Sequence, residues 1–450
     1  MDSTAVVIRG THFEVGRALG ALARPIMLSY WKQSSTWHAL QKFKGGVLFH
    51  QLLLKADTLF PLVMAELRGM AEGLDLPFDD VFLWNCRGDL LHKTNDGCTT
   101  LLTRQSDGSI LLAHNEDGDP YLKQGGHFWL VDVQVQVHVM SSSAKHEEDK
   151  RGGFVSFYYP GSIPGHTFAL NRTGGLAHTV NNLRMKGKGC VRSPSADASS
   201  DVIGTPRMVL SRAMLDMPSV AAVAALLRAH PTEGGFHYFL CGTAGSDDGV
   251  AAVSIENTSY GCSVLPVDLC RAHANHTTHG KQVQVSLLRP CDTGGEIVSP
   301  SSASRQVQAE TMLSSLDRCS DSAVSGQQLL QILSSNGSDA VLPWTETGIE
   351  TETERGATVP VGTETFRSYP ILRRCPKDED EENTLATALY TVTLTPSDID
   401  VGGMAMKLDV YDFADTPASV PHQCHVCSGP VLLSDCDVVT GTLPIYSCSL

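Results

Sequence analysis

The sequence predicts an α+β fold, because helix-like periodicity and strand-like alternation share one long chain whose strands are joined by tight turns. Three stretches carry this expectation. Apolar residues recur in steps of three and four between Leu59 and Leu74, at Phe60, Val63, Met64, Leu67, Met70 and Ala71. From Val131 to Val139 every odd position is valine and every even one polar. Thr99–Arg104 and Ser109–His114 flank Gln105-Ser106-Asp107-Gly108, and Asp-Gly between apolar runs is a strong hairpin signal.

Taken in order, the first helix is amphipathic, and Gly73 and Pro77 are expected to end it. The hairpin follows, then the valine strand, with one face buried and the other wet. A helix pair is expected at Met208–Met217 and Val220–Arg228, broken at Pro218, with Ser219 as N-cap of the second. Leu385–Thr395 and Met404–Tyr411 alternate as two late strands. Residues 141–153, 193–200 and 345–383 are polar or charged, the last containing Asp378-Glu379-Asp380-Glu381-Glu382, and read as surface insertions within one large domain. No internal repeat is visible.

The composition narrows the function. The 450 residues are 42% hydrophobic and 18% charged, which suits an ordinary globular protein with a full-sized core. The net charge of −15 opposes phosphate backbones and anionic lipid, so neither nucleic acid nor a membrane is expected as partner. The first ten residues lack the basic and apolar regions of a signal peptide, and no stretch is long and apolar enough to span a bilayer. Thirteen cysteines, an odd number spread from Cys86 to Cys448, suit reduced thiols in the cytoplasm. The final Cys448-Ser449-Leu450 only faintly echoes a peroxisomal address.

The most informative stretch is Asn95-Asp96-Gly97-Cys98-Thr99-Thr100, followed after the hairpin by His114-Asn115-Glu116-Asp117. Cysteines are usually small buried hydrophobes, and the other twelve are read so. Cys98 stands apart because it follows a glycine at a strand start, where Gly97 permits a strained peptide. If its sulfur adds to the Gly97 carbonyl, an N-to-S acyl shift and hydrolysis free the Cys98 amine, whose reference pKa is roughly 7.7–8.0. That amine can serve as general base for the thiol of its own residue.

These residues, with Gly10-Thr11-His12-Phe13-Glu14-Val15-Gly16, Glu66-Leu67-Arg68-Gly69-Met70-Ala71-Glu72-Gly73, Tyr159-Pro160-Gly161, Asn171 to Asn182, Gly204-Thr205-Pro206-Arg207 and His273-Ala274-Asn275-His276, give the chain its resemblance. In their order and spacing it resembles the acyl-CoA:6-aminopenicillanic-acid acyltransferase family of N-terminal nucleophile hydrolases, peptidase family C45, which includes β-alanyl-amine hydrolases. The resemblance implies an αββα sandwich of two stacked antiparallel sheets between helical layers. It also implies cleavage at Gly97-Cys98 into residues 1–97 and a catalytic chain over 98–415, the fragments staying associated, with 416–450 as a cysteine-containing tail. The nucleophile maps onto Cys98 and the oxyanion asparagine onto Asn275. The family aspartate maps onto Asp117, with Glu116 as the alternative because the spacing differs by one residue. A late arginine maps onto Arg373 or Arg374.

The implied reaction is hydrolysis of a small N-acyl amine or amino-acid conjugate through a thioester, without a cofactor or a resident metal. Transfer of the acyl group from CoA or an amide to an amine is the alternative. Two rivals remain. In one, an uncleaved Cys-His hydrolase uses His92 or His276 as base, although His92, His114, His273 and His276 otherwise read as ordinary polar residues. In the other, a non-catalytic scaffold uses Cys424-x-x-Cys427, with Cys436 and Cys448 beyond it, as a metal or partner site. Asp117 and Asn275, taken alone, could each be turn residues.

Overall fold

A computed structural model describes residues 5–91, 97–136, 152–185, 203–245, 249–281, 296, 298–319, 323–335, 369–373, 382–395, 403–411 and 447–449. The chain opens with β1 (Val6–Gly10) and six helices: α1 (His12–Gln33), α2 (Ser35–Leu40), α3 (Val47–Leu59), α4 (Pro61–Leu74), α5 (Phe78–Asn85) and α6 (Arg87–Leu90). The hairpin β2 (Gly97–Arg104) and β3 (Ile110–Gly118) follows, then α7 (Pro120–Gly125), β4 (Trp129–Val135), β5 (Gly152–Tyr158), β6 (Ala169–Asn171) and β7 (Leu176–Asn182). Helices α8 (Arg207–Met214) and α9 (Val220–Ala229) lead into β8 (Gly235–Thr243), β9 (Val250–Thr258), β10 (Gly261–Pro266) and β11 (Cys270–His273). Last come α10 (Pro300–Cys319), α11 (Gly326–Leu333), β12 (Asn383–Thr395), β13 (Gly403–Tyr411) and β14 (Ser447–Ser449).

The strands form two sheets, so the fold is mixed α+β. One has eight strands in the order β1-β4-β5-β6-β7-β8-β9-β10, and the other six in the order β11-β2-β3-β12-β13-β14. Only β1 and β4 pair in parallel; every other described pair is antiparallel. Period-two alternation divides the six-stranded sheet between two cores. Leu102, Leu112 and Tyr390 join the large core with the strands of the other sheet, whereas Leu101, Leu111 and Leu389 pack with Ala309 and Leu313 of α10 and Leu329 and Leu333 of α11. The Thr100 hydroxyl on β2 donates to Asn181 Oδ1 on β7 at 2.7 Å, so hydrogen bonds as well as apolar contact join the two sheets. Among the described residues no single helix is long and apolar enough to cross a membrane.

Several local expectations change. Gly73 lies inside α4, which ends at left-handed Asp75 (φ 59°). The glycine is needed for close packing: a Cβ on Gly73 would stand 2.0 Å from the Arg17 carbonyl oxygen, and one on Gly16 1.8 Å from that of Glu66. Leu59 closes α3, and Pro61 takes the first turn of α4, where its missing N–H costs nothing. Ser219 caps α9 by accepting from Ala222 N at 3.1 Å. On β4, Val131, Val133 and Val135 are buried, yet the polar face is not fully wet: Asp132 is buried against Arg172, with Nη2 2.8 Å from Oδ2. Residues 137–139 lie outside the described ones. The insertion expected to 153 gives way to β5 from Gly152. In the one expected over 345–383, Ile371 is buried in the smaller apolar core, and Arg373 and Glu382 are buried against each other.

Candidate active site

The β2–β3 hairpin sets the site. Asp107 accepts from Ser109 N at 2.9 Å and Gly108 takes a positive φ of 84°, which fixes the turn and with it the strand register. Cys98 then opposes Glu116, Thr100 opposes His114 and Gly97 opposes Asp117. Alternation puts Cys98, Thr100, His114 and Glu116 on the face toward β7, and Thr99 and Asp117 on the other.

On the first face, Cys98 Sγ lies 3.7 Å from Glu116 Oε2, which lies 3.0 Å from His114 Nε2. The Tyr159 hydroxyl donates to Glu116 Oε1. His114 Nδ1 is 2.7 Å from Thr100 Oγ1. The proton positions follow from the next links. Asn181 Nδ2 donates to the His273 carbonyl at 3.0 Å, so its Oδ1 must accept the Thr100 proton. Thr100 therefore receives a hydrogen bond from His114 Nδ1–H, and the Nε2 lone pair of a neutral ring faces Glu116. Burial, with the charge of nearby His178, pushes the His114 pKa down to about 3. Glu116 Oε2 thus faces both the Cys98 thiol and the His114 ring nitrogen.

The second face holds buried charges around the Gly97–Cys98 bond. Asp117 Oδ1 accepts from Thr384 Oγ1 at 2.7 Å, while its buried Oδ2 has no hydrogen-bond partner among the described residues. Burial raises the Asp117 pKa against the pull of Arg373 and Arg305. Glu382 accepts from Arg184 at 2.9 Å and from Arg373. Its pKa still reaches about 7, because burial outweighs both cations. A Cβ on Gly97 would fall 2.3 Å from Glu382 Oε2. Gly97 is not among the positive-φ glycines, so crowding by a charged pair, rather than a strained peptide, demands the glycine.

Asn275 follows β11 and reaches the junction from its nitrogen side. Its Oδ1 accepts from Cys98 N at 3.1 Å and from Arg305 Nη2 at 2.6 Å, while its Nδ2 donates to the Asn182 carbonyl at 3.1 Å. Arg305, on α10, also donates to the Cys98 carbonyl at 2.6 Å and to Thr99 Oγ1 at 2.8 Å. Burial and the neighbouring Arg373 lower its pKa to about 10.

Of the residues singled out from the sequence, Gly97, Cys98, Glu116, Asp117, Asn275 and Arg373 thus meet around one peptide bond. His276 turns its Nδ1 to Ser302 Oγ at 2.8 Å. Arg374, His92, Cys424, Cys427 and Cys436 lie outside the described residues, and of Cys448 only the backbone in β14 is described. No disulfide joins any two of the cysteines whose side chains are described. Tyr159, Arg184, Arg305 and Glu382 carry no site signal in the sequence, where His114 reads as an ordinary polar residue. Among these donors, Cys98 Sγ, His114 Nε2 and Glu116 Oε2 lie within 4.8 Å of one another, close enough to hold one metal ion.

The chain matches the sequence model of acyl-coenzyme A:6-aminopenicillanic acid acyl-transferase over residues 103–333, just over half its length. It belongs to this acyltransferase family. The family match includes Glu116, Asp117, Asn275 and Arg305, and begins five residues after Cys98. The chain is also 27% identical over 227 residues to a beta-alanyl-dopamine/carcinine hydrolase of Drosophila melanogaster, across 47% of this chain and 54% of the fly protein. In that alignment the chain spans about half the length of the fly relative. Membership in the acyltransferase family thus accompanies a relative named as a hydrolase.

Proposed function

We propose that the chain is a cysteine amidohydrolase that cleaves its own Gly97–Cys98 bond and then hydrolyses a small N-acyl amine or amino-acid conjugate through a thioester. The observation that carries this reading is the Gly97–Cys98 bond itself: its N–H rests on Asn275, its thiol on Glu116, and Asp117 stands opposite its glycine. In maturation, Glu116 Oε2 takes the thiol proton and passes it on to the departing nitrogen. The sulfur adds to the Gly97 carbonyl carbon, the C–N bond breaks, and the departing nitrogen is protonated. Water then hydrolyses the thioester, leaving a Gly97 carboxylate and a Cys98 that carries both thiol and amine. The spare Asp117 Oδ2 can accept an N–H from that amine.

In turnover the amine takes the thiol proton, the thiolate attacks the substrate carbonyl, and water or an amine resolves the thioester. Asn275 Nδ2 gives one N–H to Asn182 and keeps a second for the oxyanion. Arg373 and Arg305 hold the Asp117 carboxylate against the cost of its burial. Two sheets in side-chain contact, with α10 and α11 packed against one of them, support an αββα N-terminal nucleophile sandwich. The two fragments would stay together, since Val15, Met27 and Trp84 share one core with the later strands and β1 pairs with β4. The name of the fly relative favours hydrolysis, whereas the family description keeps acyl transfer as the second reading. A charge of −15 gives a polyanionic CoA donor no long-range attraction. We place the enzyme in the cytoplasm, on the number and spread of its cysteines.

Intact-mass measurement of the purified protein tests maturation. The expected result is fragments 1–97 and 98–450, and a single uncut chain for Cys98→Ala. An active wild-type protein that stays full-length would instead point to an uncleaved cysteine hydrolase. A panel of β-alanyl and other N-acyl amines, run beside acyl-CoAs with amine acceptors, tests the reaction. Product in the second set alone would make the enzyme an acyltransferase.

A further inference from the structure

The thiol face of the site gathers sulfur, nitrogen and oxygen donors on one point. We propose that Cys98, His114 and Glu116 form a binding site for a thiophilic divalent cation of the zinc class, and that the bound ion silences the enzyme. On binding, the Cys98 thiol gives up its proton to solvent, so that the ion meets a thiolate, an imidazole nitrogen and a carboxylate oxygen. Silencing rests on the reading of Cys98 as nucleophile; binding does not.

The donor set selects the metal. Thiolate, imidazole and carboxylate together suit Zn²⁺, whereas Mg²⁺ and Ca²⁺ require oxygen ligands throughout. The imidazole is already prepared: its Nδ1–H is engaged by Thr100, which is fixed by Asn181, so the Nε2 lone pair points into the cluster. An outer hydrogen bond of this kind orients metal-binding histidines generally. Tyr159 occupies Glu116 Oε1 and leaves Oε2 to the cluster. From usual zinc bond lengths, tetrahedral ligand atoms stand about 3.3–3.6 Å apart. The N–O and S–O separations here, 3.0 and 3.7 Å, are within a few tenths of that spacing. Among the described residues three ligands converge on the point.

The test uses the full-length protein stripped by a chelator, then titrated with Co²⁺ and, against a chromophoric chelator, with Zn²⁺. The expected result is one ion per chain with a thiolate-to-cobalt charge-transfer band. Cys98→Ser should abolish the band, His114→Ala and Glu116→Gln should lose tight Zn²⁺ binding, and Thr100→Val should weaken it about 10–100-fold. Cys262→Ser should retain full binding. No saturable binding, or a band that persists in Cys98→Ser, overturns the proposal. Should a variant fail to fold, X-ray absorption of the zinc-loaded wild type decides: one sulfur among nitrogen and oxygen ligands supports the site, and two or more sulfurs place the ion elsewhere and overturn it. A chain that binds the ion through Cys98 but, while still metal-free, neither cleaves itself nor hydrolyses an amide retains the site and overturns the nucleophile reading.

Discussion

Cys98 and Glu116 oppose each other across the β2–β3 ladder, with the sulfur 3.7 Å from Oε2, while the neighbouring Asp117 sits opposite Gly97 and turns to the other face. Two adjacent carboxylates are thereby assigned to two environments. One touches the thiol and an imidazole; the other lies among arginines beside the Gly97–Cys98 bond. This separation lets their roles be tested apart.

Glu116→Gln should slow self-cleavage by roughly 10²–10⁴, the usual worth of a positioned general base, because the thiol loses its proton acceptor. Asp117→Asn should still cleave but turn over about 10²-fold more slowly, since its spare Oδ2 meets an amine that exists only after cleavage. Time courses of cleavage, followed by rates of the separated mature forms, check both. Normal cleavage in Glu116→Gln and none in Asp117→Asn would reverse the assignment.

Gly97→Ala should yield a folded but uncut chain. The added methyl would fall 2.3 Å from Glu382 Oε2, and Glu382 cannot easily withdraw, being held by Arg184 and Arg373. Relief must come from the backbone at the bond that the proposed maturation cuts, with a stability loss of about 1–3 kcal/mol, typical of overpacking. Intact mass and thermal melting measure the two effects. Ordinary cleavage in this variant would show that the crowding has no part in maturation.

Much of the site was legible where chemistry is local. Asp107-Gly108 announces the hairpin, and once Cys98 is noticed, the two strands can be counted by twos to place Thr100, His114 and Glu116 on its face. That count, rather than any motif, would have found His114. Arg305 could not be found in this way. It lies 207 residues from Cys98, and its helix α10 is rich in serine and glutamine, with little of the apolar striping by which a helix is recognised. Glu382 was hidden by its company: it ends an acidic run that reads as solvated, and only the meeting of Arg184 and Arg373 in the core explains its burial. Gly73 shows the same limit, since its partner is a carbonyl on another helix.

Asn275→Ala should slow both steps. Its Oδ1 holds the Cys98 N–H and receives Arg305, so the uncut junction loses its support, and the mature enzyme loses an oxyanion donor worth about 10²–10³ in rate. Cleavage and turnover are measured separately. Unchanged turnover in pre-cleaved protein would confine Asn275 to maturation.

The charge cluster should also imprint a pH dependence on stability. Burial raises Glu382 from an ordinary 4.5 to about 7 in the folded chain, in spite of its two arginines. Below the unfolded value both states hold the proton, and the carboxyl contributes its full share to the fold. As pH rises toward 7 the unfolded chain gives up the proton while the folded chain keeps it, so folding loses ground throughout that window and levels off above it. Glu382→Gln cannot ionise and escapes this loss, although it weakens the hold on Arg184 and Arg373 at every pH. The stability of Glu382→Gln relative to wild type should therefore improve between about pH 4.5 and 7 and stay constant beyond, by an amount on the order of a few kcal/mol. Urea unfolding of both proteins across that range gives the difference directly. A gap that stays flat or widens against the variant as pH rises would mean that Glu382 is ionised in the folded protein throughout, with the arginines outweighing its burial.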